Sequence, residues 1–251
     1  MGLPPQVKKG LKKRPNLPGV LALAALALLA VALPRARGEP MPSAREVMRL
    51  VRANEAGMNQ RFSGRLTTSS SRSKIVVPFQ LTMREGTFVY QFVGGPPESL
   101  TLRLGENSSR LERSTGTGKG QVVSGAKLDD PVRGTDITYE DLALKFLYWN
   151  NARVVGQETL LTRRCWVVQA QPSGRDDSQY DMVRLWVEKT GGLLRAECYS
   201  GGKIARRFDV RSVQRAPGGG YVLKTLTVQS LNGPGGPGRD RSPTRLELTP
   251  I

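Results

Sequence analysis

Apolar residues occupy every second position in many stretches of the chain. These stretches lie at 75–83, 88–92 and 100–104 in the first half, and at 166–170, 183–187, 204–210, 222–228 and 246–248 in the second. Successive side chains of a β-strand point to opposite faces, so a period of two is typical of strands with one face toward an apolar interior. The pattern predicts a mainly β chain.

Turn-forming sequences separate the strands of the second half. They are "EKTGG" (188–192), "YSGGK" (199–203), "RAPGGG" (215–220) and "NGPGGPG" (232–238), the last a loop before a final strand. No helical pattern lies between these strands, which favours an antiparallel meander over βαβ units. Because no repeat and no break in composition divides the sequence, residues 39–251 are predicted to form a single domain.

One amphipathic helix is predicted before the first strand. Ser43 followed three residues later by Glu46 is a capping-box pattern, and the helix would run to about residue 60. Its apolar face is predicted to hold Val47, Leu50, Val51 and Met58.

A second helix is predicted from Tyr139 to about Asn150, in the segment "YEDLALKFLYWN". Thr138 is placed to cap it, and Asp141 is placed to return the bond to the cap residue. The apolar positions of this helix are Leu142, Phe146, Leu147 and Trp149. An aromatic-rich helix of this kind either covers the open side of a curved sheet as a lid or is an ordinary core helix of an α+β fold. The sequence leaves both interpretations open.

Acidic residues near this helix are the candidates for acid–base chemistry. The chain contains no histidine, which excludes Ser-His-Asp triads, Cys-His dyads and zinc sites built on imidazole. Asp136 and Glu140 could form a carboxylate pair of the kind that hydrolyses glycosides. Acids at a helix start also stabilise its dipole and its first turn, and an aspartate before a cap is ordinary in a turn. We therefore favour capping over catalysis and expect no catalytic residues, metal site or cofactor.

The N-terminal residues have the layout of a secretory signal. The basic run "KKGLKKR" (8–14) precedes the apolar run "LPGVLALAALALLAVAL" (17–33), and "ARG" (36–38) offers small residues for cleavage. We expect a signal peptide at 1–38, a mature chain that begins near Glu39, and export to the periplasm. The alternative is an uncleaved anchor, because about 17 apolar residues is the lower limit for spanning a bilayer.

The chain is strongly basic, with 38 Lys and Arg against 21 Asp and Glu and a net charge of +17. Residues 1–38 hold seven of the basic residues and no acids, so the remainder has a net charge of +10. Positive charge attracts polyanions, but an exported protein rarely meets nucleic acid, and the basic residues are scattered along the strands. Anionic membrane surfaces or acidic polymers are the expected polyanions, unless the charge only solvates the surface.

Cys165 and Cys198 are the two cysteines of the chain. Export makes a disulfide conceivable. In a plain meander, however, a whole strand separates them, and second-neighbour strands lie about 9 to 10 Å apart, beyond the roughly 7 Å limit between bridged Cα atoms. Two separate buried thiols are therefore expected.

Five short motifs carry a resemblance to a known family. In chain order they are "GTDITYEDL" (134–142), "CWVVQAQP" (165–172), "YDMVRLWVEK" (180–189), "YSGGKIARRF" (199–208) and "PTRLEL" (243–248). Their order and spacing resemble those of the exported outer membrane lipoprotein-sorting proteins, which are similar to the LolA and LolB carriers. The resemblance implies a mainly β fold with helices: an unclosed antiparallel β-barrel whose concave apolar face is covered by the N-terminal helix and the mid-chain helix.

The resemblance also implies a function, namely carriage of the acyl chains of a lipoprotein between membranes in an apolar cavity. The expected partners are an acylated lipoprotein or lipid cargo and transfer components at the inner and outer membranes, with a monomeric protein and no nucleic acid. We predict that the cavity is lined by Val77, Phe79, Leu81, Phe88, Tyr90 and Phe92 from the first half, Phe146 and Trp149 from the mid-chain helix, and Trp166, Leu185 and Phe208 from the second half.

Two alternative functions remain open from the sequence. The same half-barrel could serve as an envelope module that senses lipids or a partner protein. A weaker alternative is a carboxylate-dependent hydrolase that uses Asp136 and Glu140.

Overall fold

The computed structural model describes residues 41–70, 73–174, 178–216, 221–231 and 243–251. The predicted signal peptide at 1–38 and the "NGPGGPG" loop at 232–238 lie outside the described residues.

The described residues form one antiparallel sheet of 13 strands. The strands are β1 (Gln60–Ser69), β2 (Lys74–Arg84), β3 (Thr87–Phe92), β4 (Glu98–Leu104), β5 (Ser109–Thr115), β6 (Gln121–Val122), β7 (Asn151–Leu160), β8 (Arg163–Gln171), β9 (Met182–Glu188), β10 (Leu193–Ser200), β11 (Lys203–Arg215), β12 (Tyr221–Ser230) and β13 (Thr244–Pro250). Their spatial order is β6-β5-β4-β3-β2-β1-β13-β12-β11-β10-β9-β8-β7.

The sheet consists of two meanders that are joined by its first and last strands. β1 to β6 form one meander and β7 to β13 the other, and β1 pairs with β13 so that Gly64 faces Leu248 and Leu66 faces Leu246. β6 and β7 lie at opposite ends of the strand order and do not pair within the described residues. The predicted unclosed antiparallel architecture is therefore confirmed.

Alternate residues of β1 and β2 are buried on one face of the sheet, called the inner face below. β8, β9 and β10 also have consecutive buried residues, and none of the residues of β6 and β7 is buried. Two apolar clusters cover the inner face, one centred on β1 to β5 with β12 and β13, the other on β8 to β10 with the N-terminal helix. The opposite face carries a smaller cluster around Cys165 and Trp186. Cys198 lies in the second inner cluster, and both cysteines are buried and free. The prediction of two separate thiols is confirmed.

The N-terminal helix α1 (Ala44–Ala56) begins at the predicted capping box. Ser43 caps the Glu46 backbone amide and Glu46 returns the bond. The helix ends at Ala56, where Gly57 is its C-cap, and not at residue 60 as predicted. Its buried residues are Ala44, Val47, Met48 and Val51. Leu50 and Met58, predicted for this face, are only partly buried.

Two hairpin turns hold the second half of α1 over the sheet. The Gly86 amide of the β2–β3 turn donates to the Ala56 carbonyl at 3.1 Å. On the other side, a Cβ atom at Gly191 of the β9–β10 turn would lie 2.5 Å from the Leu50 carbonyl oxygen, and Gly191 has φ +90°. Only glycine allows this close approach. The helix therefore touches hairpins of both meanders.

The mid-chain residues do not form the continuous helix that was predicted for 139–150. Helix α2 (Tyr139–Ala143) has five residues, Leu144 adopts the left-handed conformation with φ +51°, and a 3-10 turn (Lys145–Tyr148) follows. A left-handed residue ends the helical hydrogen-bond pattern.

None of the helices in the described ranges is long and apolar enough to cross a membrane.

Candidate functional site

A cavity of about 680 Å³ lies between the inner face of the sheet and the helical segments. Its walls come from α1, from strands of both meanders, from the β9–β10 turn and from the mid-chain segment, defined as residues 139–149. Most lining residues are apolar, among them Phe62, Met83, Leu226, Leu246 and Leu248. This volume is within the range of about 300–1,000 Å³ that is typical of small-molecule sites.

Five of the eleven predicted lining residues face the cavity. They are Leu81, Phe88, Tyr90, Phe146 and Phe208. The other six, which are Val77, Phe79, Phe92, Trp149, Trp166 and Leu185, do not line it.

Aromatic packing explains why Phe79 and Phe92 miss the cavity. The Phe79 ring covers Gly64 of the neighbouring strand, where an added Cβ would lie 2.4 Å from the ring. Phe92 packs edge-on against Phe79 at 6.3 Å between ring centroids, and the Arg133 guanidinium lies 5.1 Å from the Phe92 centroid. Both rings therefore fill the core beside the cavity; Val77 belongs to the same cluster.

The other three predicted residues that do not line the cavity are core residues beside α1. Trp149, Trp166 and Leu185 are each at most 6% exposed and belong to the cluster that contains Val47 and Met48 of the helix. These three side chains therefore pack in the same cluster as α1 and do not reach the cavity wall. Of the two predicted lid residues, only Phe146 faces the cavity.

Several lining residues were not predicted as such. Val210 and Leu226 face each other on β11 and β12 and both line the cavity. They belong to the alternating pattern seen in the sequence, so period two could have identified them. Val51 and Glu55 of α1 also line it, and a carboxylate on an apolar wall has no such signal.

Three hydrogen bonds fasten the mid-chain segment, two through its backbone carbonyls and one through the side chain of Tyr148. Arg52 of α1 donates to the Leu147 carbonyl at 2.5 Å, Ser109 of β5 donates to the Ala143 carbonyl at 2.5 Å, and the Tyr148 hydroxyl donates to the Gly105 carbonyl at 2.9 Å. The segment is therefore tied to both α1 and the first meander.

The predicted cap of α2 is present, with additional partners. The Asp141 amide donates to the Thr138 hydroxyl at 3.4 Å, and the Thr138 amide donates to the Asp141 carboxylate at 2.8 Å. The same carboxylate accepts from the Tyr180 hydroxyl at 2.6 Å and from Arg206 Nη1 at 3.0 Å. Asp141 thus joins α2 to β11 and to the residues before β9, a role that capping alone did not predict.

Asp136 and Glu140, the candidate catalytic pair of the sequence analysis, have different hydrogen-bond partners. Asp136 accepts from the hydroxyls of Thr68 and Thr244 at 3.2 and 3.0 Å. Glu140 accepts from the Ser178 hydroxyl and from the Gln179 amide. Burial raises the pKa of Glu140, and the neighbouring Asp141 carboxylate raises it further. Asp136 thus joins the residues before α2 to β1 and β13, whereas Glu140 joins α2 to the residues before β9.

Comparisons with known proteins support the fold. A family model with the description "Uncharacterized protein" matches residues 116–235, just under half of the chain. No curated protein matches the chain significantly.

Solved structures align over most of the chain. An outer membrane lipoprotein-sorting protein domain from Vibrio parahaemolyticus has a TM-score of 0.64 and 14% identity, covering 82% of this chain and 89% of its own. A DUF1329 family protein from Desulfovibrio piger has a TM-score of 0.63 and 15% identity, and the alignment covers 82% of this chain and 90% of that protein. A LolA superfamily protein from Nitrosomonas europaea has a TM-score of 0.60 and 11% identity, and the alignment covers 83% of this chain and 92% of that protein. At these identities the likeness concerns the fold, so the motif resemblance is confirmed at that level: the chain has the fold of LolA superfamily and outer membrane lipoprotein-sorting proteins.

Proposed function

We propose that this protein is an exported, non-enzymatic carrier that binds the acyl chains of a lipoprotein or another lipid and moves them toward the outer membrane. The observation that carries the proposal is the apolar cavity between the inner face and the helical segments. Burial of a twelve-carbon chain there contributes about 10 kcal/mol before the costs of association, at about 0.8 kcal/mol per methylene. Apolar burial is therefore the main contribution that would offset the cost of association.

The proposal includes a location and partners. The mature protein acts in the periplasm after removal of residues 1–38, as a monomer, with a loading component at the inner membrane and an acceptor at the outer membrane. The distinct partners of Asp136 and Glu140 support a binding role over hydrolysis.

A second candidate function is a lipid- or partner-sensing module with the same cavity. The three hydrogen bonds that tie the mid-chain segment to α1 and to the first meander favour it, because a carrier must release its cargo and a fastened cover opposes release. The two functions differ in one measurement: a carrier transfers its bound chain to acceptor vesicles, whereas a sensor retains it.

The binding proposal is tested by filling the cavity. Val210 and Leu226 are paired across β11 and β12 on its wall. The double variant Val210→Trp/Leu226→Trp should weaken binding of dodecanol by tenfold or more in calorimetry. Val76→Trp places the same side chain on the exposed face of β2, where Val76 is 49% exposed, and is the matched control. Unchanged affinity in the filled variant would refute binding in this cavity.

A further inference from the structure

The charged side chains on the cavity wall are paired with one exception. Asp141 pairs with Arg206, Arg163 with Glu188 at 2.7 Å, and Arg195 with Asp209 at 2.6 Å. Glu55 also lines the cavity, and within the described residues its carboxylate has neither an ion pair nor a hydrogen bond. A bound ligand could supply the ion pair or hydrogen bond that the Glu55 carboxylate lacks.

Glu55 lies on the side of α1 that faces the interior. It is four residues after the fully buried Val51, and residues four apart share one face of a helix. The side chain keeps some accessibility because it borders the cavity, yet protein surrounds it, and this burial raises the pKa of Glu55 to about 7.

Tyr90 of β3 brings a second polar group to the same cavity. Its phenol lies close enough to Glu55 that, after burial, the charge of this carboxylate is the further cause that raises the pKa of Tyr90. Its ring packs against Phe79 at 5.8 Å between centroids. A carboxylate acceptor and a phenol donor thus line the same, mostly apolar cavity.

A purely structural role does not account for these two groups. Both side chains are only partly buried, and a ligand that displaced water from them without supplying a hydrogen bond would lose about 1–3 kcal/mol, and more for the carboxylate. Leucine or phenylalanine would complete the wall without that penalty. A few converging polar groups on an apolar wall are the usual means of orienting a ligand.

We propose that Glu55 and Tyr90 form the polar end of the acyl-chain site and bind a hydroxyl or primary ammonium group at the head of the ligand. The inference rests on the proposed function, since it assumes that acyl chains occupy the cavity. The Glu55 carboxylate accepts a hydrogen bond that the head group donates, and the Tyr90 hydroxyl forms the second hydrogen bond. A ligand with a carboxylate head is disfavoured, because its charge would lie beside that of Glu55.

The test compares three twelve-carbon probes that differ only in their heads: dodecylamine, dodecanol and dodecanoate. In calorimetry at about pH 8 we expect the amine and the alcohol to bind the wild-type protein at least about fivefold more tightly than dodecanoate. In Glu55→Gln the affinities for the amine and dodecanoate should come within about twofold of each other. Glu106→Gln makes the same chemical change at an exposed position and should keep the wild-type preference.

Two further measurements do not depend on how well Glu55→Gln folds. Tyr90→Phe should weaken binding of dodecanol by about threefold, because one hydrogen bond is lost. In the wild-type protein the preference for the amine over dodecanoate should shrink between about pH 8 and pH 6, as Glu55 becomes protonated.

The outcomes separate this inference from the proposed function. If all three probes bind the wild type and Glu55→Gln with the same relative affinities, or if the wild type shows no preference at either pH, the polar site is refuted and the apolar cavity stands. If none of the probes binds the wild type, the proposed function itself is refuted, and the inference with it.

Discussion

Substitution of Asp141 by alanine should destabilise the protein far more than the loss of a helix cap. The side chain of Asp141 is 1% exposed and that of Arg206 is 15% exposed, so the ion pair is buried. Asp141→Ala removes the cap bond to the Thr138 amide, the bond from the Tyr180 hydroxyl and the charge that Arg206 needs.

The expected magnitude follows from the buried charge. A cap alone contributes about 0.5–2 kcal/mol. Removing one partner of a buried ion pair costs about 3–5 kcal/mol, because the other charge is left unpaired. These contributions overlap, so we expect a loss of about 3–5 kcal/mol in the free energy of unfolding for Asp141→Ala.

Urea denaturation measures this loss, with two variants that separate its causes. Thr138→Ala removes only the capping hydroxyl and should cost about 1 kcal/mol. Arg206→Met in the Asp141→Ala background removes the unpaired charge and should restore part of the loss. If Asp141→Ala costs no more than Thr138→Ala, the carboxylate is only a cap and the argument from the buried pair is wrong.

The remaining predictions concern the core, the weighed carboxylates, pH and export. Trp149→Ala should cost about 3–5 kcal/mol in the empty and the ligand-bound protein alike, since Trp149 lies in the core; thermal melts that show a larger loss in the empty protein alone would instead support a lid. Asp136→Asn and Glu140→Gln should each lower stability by about 1–3 kcal/mol and leave probe affinity within about twofold; loss of function in either folded variant would point to catalysis. The raised pKa of Glu55 means that the folded protein binds a proton more tightly than the unfolded chain. The resulting contribution of Glu55 to the free energy of unfolding is fully present below about pH 4.5 and should be lost, to the extent of about 3 kcal/mol, as pH rises toward 7. Urea titrations across this window should show the loss in the wild type and not in Glu55→Gln, and equal pH profiles of the two proteins would contradict this prediction. N-terminal sequencing of the exported protein should begin at Glu39, whereas recovery of only the full-length chain in membranes would support the anchor.

Local signals predicted local structure well. The Ser43 and Thr138 caps depend on residues three positions away and appear as expected. β1 was not predicted because Gly64 and Thr68 occupy inner positions, where apolar residues would have shown the alternation. β7 was not predicted because a bulge between Val154 and Gly156 shifts its pattern.

The site depended on contacts that the sequence pattern does not contain. Leu144 interrupts the mid-chain helix, where the Ser109 hydroxyl from a distant strand donates to the Ala143 carbonyl. Arg206 is 65 residues from Asp141. Alternation indicates which face of a strand is buried, but it does not distinguish residues beneath α1 from residues beside the cavity, so Trp166 and Phe208 looked alike in sequence.

The most direct test of the central claim is mass spectrometry of the ligands extracted from protein that was purified without detergent. The account predicts a co-purifying molecule with one or more acyl chains, near one per protein, and its depletion from Val210→Trp/Leu226→Trp but not from Val76→Trp. Protein that is folded and free of any acyl compound, or equal amounts in the filled variant and the control, would contradict the claim that this cavity holds acyl chains.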